Sequence, residues 1–408
     1  MRSRLLSGSR GLLHGAALVA LATALANALG YLLTIVAARA LAPAGFGAFS
    51  ALLAAIIIGN VAALAVQAVV ARDVAQAGPS DARGALATGL AAGALALALS
   101  PVLARVLQIP SVAPVAAAAV AVAALAAAAG PIGVAQGRER LGTLAGLLLA
   151  QGALRVLGGM VGLLTNRSVT GAMTGLAGGL VAAAVISWAV VRPTRSTDRP
   201  GLHGRQVWSA AVVLLGFVAF TNADVIVARA VLSPVESGAY GAGSIVTKIA
   251  FWLPQFVPVV AYARLSRQQH RSRALRVSLV AVTLSGSLIL TTTALAGDLI
   301  LRVLAGNRYL ELAPALWWFA LLGAVLALAQ VTVYSALARR DATTTVIVWM
   351  ALMTLIAASA SASTVVQVVS RATAVALVLL AVTLVREARR PLTARAEPIP
   401  VDGSARKA

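Results

Sequence analysis

Arg39-Ala-Leu-Ala-Pro43-Ala-Gly-Phe-Gly47-Ala48-Phe49 closes one long apolar run and opens the next. The chain repeats the device as Arg229-Ala-Val-Leu-Ser-Pro234-Val-Glu-Ser-Gly238-Ala239-Tyr240. In both copies an Arg ends a run, a short turn holds Pro, and Pro-x-x-x-Gly-Ala-aromatic begins the following run. Pro43 and Pro234, Gly47 and Gly238, and Phe49 and Tyr240 are each 191 positions apart. Part of the motif follows from local physics, since Pro and Gly favour turns and Arg reaches for headgroups at the end of a span. Recurrence in the same hairpin of each half is the further point, because self-similarity at long period is the mark of a repeated architecture.

The runs on either side fix the class. Of the 408 residues 60% are hydrophobic and 11% are charged, and the mean hydropathy is +0.92. A soluble domain keeps about a quarter of its residues charged. Here polar residues form short islands between apolar stretches of twenty or more, enough to cross roughly 30 Å of hydrocarbon as helix. Lipid offers the backbone no partners, so such Ala/Leu/Val-rich segments must bond internally, and the alternation of a membrane β-barrel is absent. The expected spans are 12–37, 46–70, 84–107, 112–135, 141–164, 170–191, 207–232, 238–263, 277–303, 311–337, 343–361 and 364–385. The N-terminal run is too long for a signal-peptide core and leads straight into further spans, so it reads as an uncleaved first helix.

The reading is an all-α polytopic membrane protein with about 12 transmembrane helices in two six-helix lobes. An offset of six spans makes the lobes parallel repeats, the layout of a secondary transporter with its path between them. Residues 1–191 form the N-terminal lobe, 192–206 a basic cytoplasmic linker, 207–386 the C-terminal lobe, and 387–408 a Pro-rich, disordered cytoplasmic tail. With the N-terminus inside, cytoplasmic segments hold 24 Lys and Arg and the outer loops hold six, which puts both termini in the cytoplasm.

A net charge of +21 raises the question of nucleic acid. The charges lie in short loops at span ends, so no nucleic-acid partner is expected and membrane lipids are. The basic loop 264–276 suits anionic headgroups. There are no cysteines, and His14, His203 and His270 lack metal-ligand spacing, so neither a metal nor a cofactor is expected. The loops are too short for a phosphate-cradling or acceptor-binding site, so the chain does not read as an enzyme.

Four ionisable residues lie far from span ends: Arg155, Asp224, Lys248 and Arg371. A charge at the helix centre costs about 2.5–3.5 kcal/mol on insertion scales, so each needs a cavity or a partner. Asp224 and Lys248 flank the turn near residue 235 by eleven and thirteen residues, which sets them at similar depth on antiparallel helices. They read either as an ion pair, or as a phosphate-binding ammonium whose carboxylate neighbour releases the ligand or binds a coupling cation. The loops, not the spans, hold every acid of the first half. Arg155 and Arg371 therefore have no evident counter-ion and suit an anionic ligand, the alternative being snorkelling or carbonyl pairing.

The stretch from Asn27 through Tyr31 and Arg39 to Gly47 resembles the opening of bacterial polysaccharide (oligosaccharide-lipid) flippases, of the multidrug/oligosaccharidyl-lipid/polysaccharide exporter superfamily. Thr221-Asn-Ala-Asp224-Val-Ile-Val-Ala-Arg229, with Gly238-Ala-Tyr240 and Lys248, is similar to that family's seventh and eighth helices. The likeness implies a MATE-like fold in the bacterial cytoplasmic membrane. It further implies alternating-access transport of a polyprenyl-pyrophosphate-linked oligosaccharide for polysaccharide biosynthesis, with the biosynthetic enzymes as partners. Lys248 and Arg155 are then the expected substrate-binding cations, with Arg371 in support and Asp224 as ion-pair or coupling residue. Two readings stand beside it: a multidrug/cation antiporter of the same superfamily, which should carry cavity carboxylates, and a membrane glycan polymerase or ligase.

Overall fold

The computed structural model describes residues 2–76, 82–192, 204–253, 271–337 and 342–389. Thirteen α-helices and one 3-10 helix account for nearly all of them, and no strand occurs among the described residues. In chain order they are α1 (Arg2–Ala40), α2 (Pro43–Ala75), α3 (Ala82–Ala98), α4 (Ser100–Val106), α5 (Ala113–Gly137), α6 (Leu141–Asn166) and α7 (Val169–Val191). The second half contributes α8 (Gly204–Val231), α9 (Pro234–Trp252), α10 (Arg271–Leu304), the 3-10 helix Asn307–Ala315, α11 (Leu316–Leu337), α12 (Ala342–Ser359) and α13 (Val365–Ala388). Eleven of the twelve expected spans coincide with a helix or a helix pair, and the eighth does so over its described residues, which end at Leu253.

Among the described residues nine helices are long and apolar enough to cross a membrane, and α3 with α4, bent by 50°, makes a tenth when the pair is counted as one span. The bend falls at Leu99, and Pro101 stands in the first turn of α4. Proline supplies no N–H and its ring crowds the carbonyl four residues back, which favours a kink or break at this point. Ser100 Oγ donates to the carbonyl of Ala96 at 3.0 Å at the same place. In α12 the apolar stretch is short, and α9 is 19 residues long up to Trp252. The second half of the eighth expected span, with Pro254 and Pro258, lies outside the described residues. So do most of the expected linker 192–206 and of the tail 387–408, and most of the basic loop 264–276.

In chain order the helices fall into a first group, α1–α7, and a second, α8–α13, and α2 packs on α8 and α9 as closely as either packs within its own group. Within the first group α1 lies on α6, α6 on α7, and α5 on α2, α3 and α7. Within the second, α11 packs on α9, α10 and α13, and α12 on α8 and α13. The groups meet where α2 packs on α8 and α9, with a smaller contact of α1 on α9.

Small residues set the closest approaches, because association in lipid relies on van der Waals contact and not on water exclusion. A Cβ on Gly158 or Gly162 would lie 2.2 Å from the Gly175 carbonyl oxygen or 2.0 Å from that of Gly171. The Gly-x-x-x-Gly pairs of α6 and α7 thus form an antiparallel seam of backbone on backbone. Between the groups, the large buried side chains Phe46, Phe49, Phe217, Tyr240 and Phe319 form one continuous core.

Candidate functional site

Helix α6 places Arg155 at its middle, fifteenth of 26 residues. Its neighbours on the seam with α1 are glycines: a Cβ on Gly152 would meet Ala26 at 2.4 Å, and one on Gly159 would meet Leu33 at 2.8 Å. Ala26, Gly30 and Leu33 rise along α1 as Gly152, Arg155 and Gly159 rise along α6, so the two helices run parallel. The guanidinium lies over Gly30, where a Cβ would sit 2.8 Å from Nη2. The missing side chain at Gly30 is what makes room for it. Among the described residues no hydrogen bond or ion pair uses this partly buried guanidinium, although a guanidinium carries five N–H donors. The described acids of the first half, Asp73 and Glu139, lie in the last turn of α2 and in the turn after α5.

Helices α8 and α9 build a second polar cluster. Lys248 Nζ donates to the carbonyl of Thr221 at 2.6 Å and to Oδ1 of Asn222 at 2.8 Å. Asn222 is oriented in turn by its Nδ2, which donates to the Val218 carbonyl at 2.8 Å and to Thr221 Oγ1 at 3.2 Å. Tyr240 donates its hydroxyl to Oδ2 of Asp224 at 2.9 Å, and Oδ1 of Asp224 is buried without a hydrogen-bond partner. Asp224 is 3% exposed and Tyr240 wholly buried. Lys248 reaches α8 within one turn of Asp224, but the ammonium is bound by an amide and a carbonyl in place of the carboxylate. An unscreened charge in this medium still acts on a neighbour it does not touch.

Arg371, in the second turn of α13, donates from Nη1 to the carbonyl of Ala358 at 2.8 Å and to Ser361 Oγ at 3.1 Å. It thus caps the C-terminal end of α12, where carbonyls lack helical partners. Arg155 lies on α6 of the first group, whereas Lys248 and Arg371 lie on α9 and α13 of the second. Sequence reasoning singled out Asp224 and Lys248 but missed Asn222 and Tyr240 as members of the cluster. The available signal was Thr221 and Asn222 in mid-span, each needing a partner where water is absent. No group of three or more His, Cys, Asp or Glu suited to a metal occurs among the described residues.

Comparison with solved structures identifies the architecture. A multidrug resistance MATE family transporter of the MOP superfamily, in an outward-facing conformation, superposes with a TM-score of 0.55 at 11% identity, covering 92% of this chain and 95% of that one. A MATE crystal structure in complex with MaL6 gives 0.49 at 12% identity over 92% and 93% of the two chains. A MOP superfamily transporter from Pyrococcus furiosus gives 0.43 at 11% identity over 92% and 93%. The first superposition establishes a polytopic, all-α, MATE-like fold. No family model and no curated protein sequence matches the chain.

Proposed function

We propose that the chain is an alternating-access transporter of the bacterial cytoplasmic membrane that moves a polyprenyl-pyrophosphate-linked oligosaccharide between leaflets. Both termini and the basic loops face the cytoplasm in this reading, and the helix groups act as two lobes around a cationic path. The observation that carries it is Arg155: a guanidinium at the middle of a membrane helix, whose donors make no hydrogen bond or ion pair among the described residues. A pyrophosphate would occupy those donors bidentately. Lys248 adds a second cation whose present partners are neutral. Arg371 is committed through Nη1 to the end of α12, so the weight rests on the other two. Asp224, with one free carboxylate oxygen, is the coupling residue of this scheme.

A multidrug/cation antiporter is the second reading, since the fold serves both. It requires carboxylates where cationic cargo would bind, and Asp224 is the single acid of the four ionisable residues deep in the spans. Neither reading involves covalent chemistry.

The test is leaflet exchange of a fluorescent polyprenyl-pyrophosphate oligosaccharide in proteoliposomes, for the unaltered protein, Arg155→Ala and Lys248→Ala. Exchange by the unaltered protein and its loss in folded Arg155→Ala supports the flippase. Failure across a panel of such lipids, with proton-coupled efflux of a cationic dye instead, would establish the antiporter.

A further inference from the structure

The turn end of the molecule, where the two copies of the Pro-x-x-x-Gly-Ala-aromatic motif lie, is bolted shut by arginines, and none of their bonds serves the substrate path described above. Arg229 closes α8 and is 3% exposed. A basic residue in that position was expected to anchor to lipid headgroups, but it is folded inward. Its Nε donates to the Leu107 carbonyl at 2.8 Å, Nη2 to that of Gln108 at 2.8 Å, and Nη1 to that of Ala44 at 3.3 Å. Within its own group Nη1 also donates to Ser237 Oγ at 2.9 Å and to the Pro234 carbonyl at 3.4 Å. Gln108 answers by donating Nε2 to the Ala230 carbonyl at 2.9 Å, and its φ of 51° is the left-handed conformation that ends α4.

A second exchange lies alongside. Arg39, at the end of α1, donates Nη2 to the carbonyls of Arg302, at 3.1 Å, and Val303 in the last turn of α10. Arg308, just beyond α10, donates to the Leu41 carbonyl at 3.2 Å, just beyond α1. Each arginine therefore supplies the missing donor at the C-terminal end of a helix from the opposite group. Those ends hold carbonyls without helical partners and the negative pole of the helix dipole, so a cation from outside satisfies both.

We propose that these crossed caps form the latch that holds the two helix groups together at this end, with Arg229 as its central bolt. The remaining inter-group contact is mostly apolar packing of α2 on α8 and α9, whereas the caps are directional bonds that hold in one register. Burial along α1 agrees with closure here. Leu33, Ala37 and Ala38, in its last turns, and Leu41 just beyond are buried, whereas Leu18, Leu21 and Leu25 are exposed. With the basic loops in the cytoplasm, this latch is the outer gate. Opening outward requires the caps to break together, leaving the carbonyls of Leu107, Gln108, Arg302 and Val303 to water.

The absence of cysteine makes the test direct. Spin labels at Ser111→Cys and Val235→Cys, both exposed positions on opposite groups at this end, report the gate distance in detergent and in lipid. The otherwise unaltered protein should give one narrow, short distribution. Arg229→Ala should raise the population of a longer distance by about tenfold or more, equivalent to roughly 1.4 kcal/mol. Arg229→Lys, which keeps the charge but loses the fork, should fall between. Arg39→Ala should act in the same direction and add to it. Should Arg229→Ala fail to fold, Gln108→Gly removes one strand of the latch at a position whose backbone suits glycine. An unchanged short distribution in the folded variants, Arg39→Ala and Gln108→Gly included, would overturn the proposal. The measurement needs no substrate, so its failure is separate from failure of the transport reading.

Discussion

Gly47 and Gly238, 191 positions apart in the chain, face each other across the junction of the two helix groups. A Cβ on Gly47 would lie 2.8 Å from the Gly238 backbone nitrogen, and one on Gly238 would lie 2.1 Å from the Pro43 carbonyl oxygen. Equivalent residues of the repeat therefore meet each other, as a pseudo-two-fold axis between the halves demands. Both obstacles are backbone, which cannot swing aside as a side chain can. Gly238→Val should cost about 1–3 kcal/mol, the usual penalty for overpacking a dense interior. Melting of the purified protein in detergent measures it. Gly178→Val is the control, since nothing lies within 4 Å of a Cβ there, and it should leave the melting temperature in place.

The seam that holds Arg155 makes a second prediction. Arg155→Ala should weaken binding of a pyrophosphate-bearing lipid analogue by about tenfold to a hundredfold, the value of one or two charge-assisted hydrogen bonds. Gly30→Leu should do the same with every charge intact, because its side chain would occupy the space the guanidinium now fills. Equilibrium binding by the two variants distinguishes the cases. Loss in Arg155→Ala with none in Gly30→Leu would mean that the guanidinium meets its ligand away from α1.

These two positions also show what was legible in the chain. The spans were readable because hydropathy and length alone decide whether a segment can cross hydrocarbon, and the repeat was readable because turn chemistry marks its two copies. Arg155, Asp224 and Lys248 were readable as anomalies, since a charge in a long apolar run calls for a partner whatever the fold. The actual partners of Asp224 and Lys248 were not readable. Arg229 looked like a headgroup anchor because its bonds run to Leu107 and Gln108, over a hundred residues away, and to carbonyls that every residue carries. A carbonyl leaves no mark in a sequence. The same reason hid Arg371, whose partner is the exposed end of α12.

The α8–α9 cluster predicts an unequal pair of mutants. Lys248→Ala removes the cation near a buried carboxylate that has a single donor, Tyr240. Leaving a buried charge uncompensated costs about 3–5 kcal/mol. Lys248→Ala combined with Asp224→Asn should recover most of that loss, whereas two independent sites would add their losses. The comparison is made by thermal melting of the two single variants and the double. It also protects the transport assay: loss of exchange in Lys248→Ala speaks of substrate only if the stabilised double variant fails as well.

Arg371 separates support of the fold from contact with the ligand. Its Nη1 bonds to Ala358 and Ser361 place a cation at the C-terminal end of α12, an arrangement worth about 0.3–1 kcal/mol where partly exposed. Arg371→Ala should therefore lower the melting temperature slightly and leave affinity for the pyrophosphate analogue near that of the unaltered protein. Arg371→Lys should restore most of the stability, since a single ammonium can reach the same two oxygens. Binding and melting measured on the same preparations decide the point. A drop in affinity as large as that of Arg155→Ala, without a matching loss of stability, would show that the donors not used at α12 reach the substrate path. The anion would then be held from both helix groups at once, and Arg371 would join Arg155 as a binding residue.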